Sequence, residues 1–280
     1  MTTTSSLVCS YIVIHGIRLR YLDTDPSNSD RPAVLLIHGH TSRIEEYTEL
    51  IPLLAPHFRL IVPDLPGCGL SEKPDRAYSL ELYETVLLGL MDALAIERAH
   101  VAGGSLGGNL ALRLGHRYPE RFTRIAAWAP GGSWNALHPC IGRLLRLIFR
   151  PGVQRLLFWP MVRFQSRFWF EDSWPGKPKA LADTFAYYRE VLSPGFVRMY
   201  WEIVHAQLTQ SLFDIAARIT QPTLVLWGDR DHGLNMGVGV RRLVTLLPQA
   251  VLKIFPGARH SLASEIPGAL AASLISFLGS

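Results

Sequence analysis

Apolar residues recur in short continuous runs at 33–37, 59–63, 100–103, 124–128, 223–227 and 251–255. Runs without polar alternation read as strands buried on both faces, the habit of a parallel sheet. Two earlier runs, 11–15 and 17–21, flank His15-Gly16 and predict a hairpin. Between these runs the apolar spacing turns helical at 79–94, with Ser79 as N-cap, and at 106–117, 237–247 and 261–278. Strand and helix thus alternate, which predicts an α/β chain with a mostly parallel sheet. No run approaches the roughly 20 apolar residues a membrane-spanning helix needs.

From about 133 to 210 the rhythm changes. Helical periodicity is interrupted by Pro139, Pro151, Pro160, Pro175, Pro178 and Pro194, which predicts several short helices and no strand. Leu144, Leu145, Leu147, Ile148, Leu156, Leu157 and Phe158 alternate with Arg143, Arg146, Arg150 and Arg155. That pattern describes an amphipathic pair of helices facing a core or a lipid surface, and it is read here as packing inward with a solvated basic face. The net charge of +5 arises in the same region, because 136–213 holds twice as many Lys and Arg as Asp and Glu while the rest is nearly neutral. Trp159, Trp169, Trp174 and Trp201 add to the contrast and mark a candidate inserted domain. Its arginines are mixed with aliphatic residues and no groove-reading motif accompanies them, so nucleic acid is not the expected partner. Cys9, Cys68 and Cys140 are too few and scattered for a disulfide framework and read as free thiols. Residues 1–6 are hydroxyl-rich without the charge and apolar stretch of a secretory signal, which predicts a cytoplasmic protein. No ligand cluster at metal spacing occurs, and no cofactor is expected.

Gly103-Gly104-Ser105-Leu106-Gly107 follows a predicted strand and opens a predicted helix. A serine on so sharp a turn projects its hydroxyl from the sheet edge, and small neighbours admit the close backbone approach. The segment lacks the Lys of a P-loop and the spacing of a dinucleotide-binding turn. Ser105 is therefore the candidate nucleophile. A serine hydroxyl is weak at neutral pH and needs a histidine base oriented by a carboxylate. Strand 223–227 runs into Gly228-Asp229-Arg230-Asp231-His232, and strand 251–255 into Pro256-Gly257-Ala258-Arg259-His260. Both loops follow carboxyl ends of strands, where open α/β sheets build their sites.

In the chain order Ser105, Asp231, His260 and in four further motifs the sequence resembles the α/β-hydrolase superfamily along essentially its whole length. His38-Gly39 is similar to that family's oxyanion loop, and Asp64-Leu65-Pro66-Gly67-Cys68-Gly69-Leu70-Ser71 to its D-x-x-G-x-G-x-S turn. Leu226-Trp227-Gly228-x-x-Asp231 is similar to its acid loop and Pro256 to His260 to its histidine loop. The resemblance implies an eight-stranded, mostly parallel sheet flanked by helices, with a core of 1–132 and 212–280 and a helical cap of 133–211 inserted after strand six. It implies Ser105 as nucleophile, His260 as base and Asp231 as acid, with Asp229 capping its turn. It further implies an oxyanion hole from the backbone N–H groups of His40 and Leu106, with His38 and Gly39 shaping the loop.

The resemblance also narrows the reaction. Related haloalkane dehalogenases and epoxide hydrolases carry a carboxylate at the elbow, where this chain has Ser105. A serine with an oxyanion hole attacks carbonyls and forms an acyl-enzyme. The expected substrate is a small to medium apolar ester, lactone or thioester, with the insert's arginines able to hold an anionic group. The cap is expected to select the substrate while the loops of the sheet carry out the chemistry. Carbon-carbon hydrolases of vinylogous diketones are the alternative, although they usually carry Asn or a similar residue before the serine and Trp after the histidine, where this chain has Gly104 and Ser261. Acyl transfer to another acceptor and a non-catalytic ligand receptor are the remaining readings.

Overall fold

A computed structural model describes residues 8–27, 30–148, 150–232 and 236–280, without the side chains of 146–148, 151 and 236. The hairpin forms as predicted, from β1 (Ser10–Ile14) and β2 (Ile17–Asp23). His15 and Gly16 both take positive φ, 48° and 75°, the geometry of a two-residue turn whose twist matches its strands. Then come β3 (Ala33–Ile37), a 3-10 turn at Ile44–Tyr47, the single turn α1 (Ile51–Leu54), β4 (Arg59–Pro63) and α2 (Leu80–Ala93). The Ser79 side chain accepts the Leu82 N–H, as its N-cap reading requires. β5 (Ala99–Gly104), α3 (Leu106–Arg117) and β6 (Phe122–Trp128) follow.

Next in the chain are α4 (Pro139–Ile148), α5 (Pro151–Gln165), α6 (Lys177–Val191) and α7 (Pro194–Thr209), with no strand among their described residues. The chain returns to the sheet with β7 (Thr223–Gly228), α8 (Met236–Leu246) and β8 (Ala250–Phe255) and closes with α9 (Leu262–Glu265) and α10 (Pro267–Leu278). The single closing helix expected at 261–278 is thus two. Pro267 has no N–H to continue the first helix, and Ile266 leaves helical geometry at φ −139°, ψ 50°.

The eight strands lie in the order β1-β2-β4-β3-β5-β6-β7-β8, antiparallel at β1, β2 and β4 and parallel from β4 onward. Alternation within the continuous apolar strands sorts their side chains onto two faces. Leu35, Ile37, Val101, Ile125, Ala127 and Val225 pack with α2, α3 and α8. Val34, Leu36, Ala102, Ala126, Leu224 and Leu226 pack with α1, α9 and α10. Phe158, Tyr187, Tyr188 and Phe196 of the inserted helices join the first of these clusters, so the insert shares its packing with the sheet. Its amphipathic reading holds in part: Phe158 and Val162 are buried, whereas Ile141, Leu144 and Leu156 face outward. Cys9, Cys68 and Cys140 form no disulfide. Among the described residues no helix is long and apolar enough to cross a membrane.

Candidate active site

The ends of β3, β5, β7 and β8 converge on the predicted site residues. Ser105 occupies the turn between β5 and α3 with φ 53° and ψ −113°, a conformation that costs a non-glycine residue of order 1–3 kcal/mol. Neighbouring backbone holds it there: the Ser105 N–H donates to Trp128 O at 2.9 Å, and Ser105 O accepts the N–H groups of Asn109 and Gly131. The glycines around it meet a steric demand. A Cβ at Gly107 would lie 1.9 Å from Ile37 O, and one at Gly104 would lie 2.1 Å from Trp128 Nε1. Trp128 is fully buried, so its indole has little room to yield. Gly104→Ala is accordingly expected to cost about 1–3 kcal/mol by overpacking. Thermal unfolding beside the parent protein checks this, and an unchanged Tm would show that the indole can move.

His38 is buried at the end of β3 and ties two loops together. Its Nε2 accepts the Leu65 N–H at 3.0 Å, which leaves Nδ1 as the donor to Gly39 O at 2.7 Å. The Gly39 N–H in turn donates to Glu46 Oε2 at 3.0 Å, and a Cβ on Gly39 would lie 3.6 Å from both that oxygen and Ser105 Cβ. Glu46 thus stands across a single glycine from the serine. The sequence reading missed it, and its place directly before Tyr47, whose hydroxyl donates to Ile37 O, offers only a weak signal. The backbone N–H groups of His40 and Leu106 bond to no acceptor among the described residues. Leu106 begins α3, so its N–H has no partner within the helix and lies at the positive end of the helix dipole. The His40 ring packs against Tyr200 of α7, with centroids 5.0 Å apart and the planes tilted by 37°. Burial lowers His40 to about 4, so its ring is neutral at pH 7 and brings no cation to the loop.

Asp231 and His260, 29 positions apart in the chain, meet where β7 and β8 end side by side. Asp231 is buried, and its Oδ2 lies 2.7 Å from His260 Nδ1. Burial disfavours the imidazolium, but the charge and hydrogen bond of Asp231, with Glu46 and Glu265 behind them, outweigh it and raise His260 above its ordinary value. The Asp229 carboxylate points elsewhere and accepts the Gly257 N–H at 2.7 Å. The Ser105 hydroxyl, partly exposed, is bonded to none of the described residues, His260 included. Such contacts tighten when a substrate is held.

The insert reaches the same region. Tyr188 of α6 shares a hydrogen bond with Thr41 Oγ1 at 2.5 Å, Tyr187 accepts the Gly69 N–H at 2.6 Å, and Glu202 of α7 accepts the Tyr78 N–H at 2.6 Å. A cleft of about 340 Å³ opens between Ser166–Phe168, Lys177 and Leu181 on one side and Arg230, His232 and Arg259 on the other. None of Ser105, Asp231 or His260 lines it.

The chain is similar to known proteins over most of its length. Over 261 residues the chain is 31% identical to the 2-hydroxy-6-oxononadienedioate/2-hydroxy-6-oxononatrienedioate hydrolase of Cupriavidus pinatubonensis, covering 88% of this chain and 86% of that one. It is 26% identical over 275 residues to haloalkane dehalogenase 2 of Mycobacterium tuberculosis, covering 94% and 92%. The solved enol-lactonase of Burkholderia xenovorans LB400 superposes with a TM-score of 0.81 at 24% identity, over 97% of this chain and 100% of that one. The sequence profile described as alpha/beta hydrolase fold matches residues 32–265. With the eight-stranded sheet, the serine turn between β5 and α3 and that match over most of its length, the chain belongs to the α/β-hydrolase fold family.

Proposed function

We propose that the protein is a serine hydrolase that cleaves carboxylic esters, or the related lactones and thioesters, of small to medium apolar substrates through an acyl-enzyme. The observation that carries this reading is the paired geometry of Ser105 at the head of α3 and the buried Asp231–His260 hydrogen bond. With Nδ1 engaged by Asp231, His260 keeps Nε2 to take the proton of the Ser105 hydroxyl as Oγ attacks the carbonyl carbon. The carbonyl oxygen becomes an oxyanion and accepts from the N–H groups of His40 and Leu106. Collapse of the adduct breaks the bond to the leaving group, which takes the proton from His260. Water then enters, gives its proton to His260 and releases the acid and free Ser105 by the same steps reversed. Residues 133–211 act as the cap over a core of 1–132 and 212–280. A hydroxyl nucleophile sets this chain apart from displacement at an alkyl carbon by a carboxylate.

A second reading is favoured by the 31% identity to a hydrolase that splits a carbon-carbon bond. Against it stands Gly104, where Trp128 leaves no space for the polar side chain that such enzymes usually carry before the serine. One assay separates the two: p-nitrophenyl esters of increasing acyl length beside a ring-fission diketone. Faster turnover of short or medium esters is expected. Slow esters with fast diketone cleavage would replace this reading by the second.

A further inference from the structure

The stretch 166–172 of the insert, a 3-10 turn at Ser166–Phe168 and the bend after it, lies against the loops that carry Asp231 and His260. It holds the immediate neighbours of both. Glu171 Oε1 accepts from Arg230 Nη1 at 3.0 Å, and Glu171 Oε2 lies 3.6 Å from Arg259 Nε. Arg230 directly precedes Asp231, and Arg259 directly precedes His260. The same Arg259 guanidinium donates from Nη1 to the carbonyls of Arg167, at 2.9 Å, and Phe170, at 3.1 Å, and its Nη2 pairs with Asp172 at 3.4 Å. On the far side of His260, the Ser261 N–H donates to Trp169 O at 3.0 Å. One short stretch of the insert therefore grips the histidine on both flanks.

The histidine needs such a grip because it belongs to no regular element. β8 ends at Phe255 and α9 begins at Leu262, so residues 256–261 have no strand ladder or helix to fix them. Within the core they are tied by Gly257 to Asp229, by Ala258 O to the Arg230 N–H and by the Arg259 N–H to Glu265 Oε2. Beyond Arg259 the core supplies the Asp231 bond to His260 and the Ser264 and Glu265 N–H groups that donate to Ser261 O, and the insert adds the Trp169 carbonyl on the Ser261 N–H. Glu171 is only 7% exposed, so its pair with Arg259 is not a solvent-screened surface contact, and with Arg230 and Asp172 it forms a small network rather than an isolated pair. Arg230 is half-exposed and adds less.

From these contacts we infer that Glu171 and Arg259 are positioning residues for the Asp231–His260 pair: the insert sets the orientation of the base as well as shaping the pocket. The inference rests on the reading of His260 as the base. It departs from a division in which the insert selects and the sheet alone catalyses.

Glu171→Gln and Arg259→Gln, singly and together, test it. Asp183→Asn, in the exposed Lys179–Asp183 pair of the same insert, is the control. Fluorophosphonate labelling should slow roughly ten- to hundredfold at saturating reagent in each single variant, with the half-saturating concentration unchanged. The double variant should lose less than the two single losses multiplied together, since the two substitutions share the Glu171–Arg259 contact. The low-field proton resonance of the His260 Nδ1–H bonded to Asp231 should broaden or shift in the variants and stay in place in Asp183→Asn. If Glu171→Gln does not fold, Arg259→Lys carries the same expectation, because it keeps the charge and loses the fork that reaches Arg167 and Phe170. Parental labelling rates with an unchanged resonance would overturn the inference, and so would a change in half-saturating concentration alone. The resonance needs no turnover. Labelling that persists in Ser105→Ala would overturn the nucleophile assignment while the resonance still decides the role of the insert.

Discussion

Ser105→Ala is expected to leave a folded protein that no fluorophosphonate labels and whose ester turnover falls by a factor on the order of 10⁶. The argument is steric and chemical together. Ser105 is held at φ 53° by its hydrogen bonds to Trp128, Asn109 and Gly131, all through its backbone, so loss of the hydroxyl leaves the turn intact. Alanine fits the same space, and α3 begins one residue later with its first N–H groups still free. The free N–H groups and the Asp231–His260 pair therefore survive, and what disappears is the proposed attacking atom. Circular dichroism and labelling measured on one sample separate loss of fold from loss of nucleophile. Labelling retained at another serine would move the nucleophile elsewhere.

The second large effect is expected at Asp231. Asp231→Asn keeps the volume but offers an amide to His260 Nδ1, which favours the tautomer with its proton on Nε2 and so removes the acceptor that Ser105 needs. A loss of about 10⁴-fold in turnover is expected, with labelling slowed alongside it. Asp229→Asn should change little, because an amide oxygen still accepts the Gly257 N–H. The reverse result would transfer the acid role to Asp229. The pH profile carries an independent sign. His260 acts as a base only when neutral, and its raised value puts the acid limb of the profile above the ordinary histidine value of about 6.5. Activity in the parent protein is lost as pH falls through that limb. Asp231→Asn removes the charge and hydrogen bond that oppose the burial of His260, so the residual activity should persist to lower pH than the parent's. An acid limb that stays in place would mean another group sets it.

Much of the candidate site was legible because its signals are local. The Gly103 to Gly107 turn, the His38-Gly39 loop and the Asp231 and His260 loops each combine a strand end with a characteristic residue a few positions on. The hairpin at His15-Gly16 was legible for the same reason, since a tight turn is decided by two residues and their flanking strands. The break at Pro267 was legible in principle as well, but the apolar spacing of 261–278 runs through it and masked the missing donor. The outward-facing Leu144 and Leu156 show the reverse limit: periodicity tells that a helix is amphipathic, and only the partner surface tells which face is covered.

Local patterns in the chain suffice for the main strands and helices, for the absence of strands among the described residues of 139–209, for the turn that lifts Ser105 and for the loops that hold an acid and a histidine. Each of these depends on residues within a few positions of one another, where propensity and backbone sterics act directly. What surrounds those residues comes from long-range packing. It placed Trp128 under Gly104, Glu46 across Gly39 from Ser105, and Glu171 between the arginines that precede Asp231 and His260. Trp128 meets Gly104 from 24 positions away, and Glu46 and Glu171 reach across far longer stretches of chain. Their meeting is fixed by strand order and the packing of the insert on the sheet, quantities that no local pattern of side chains encodes.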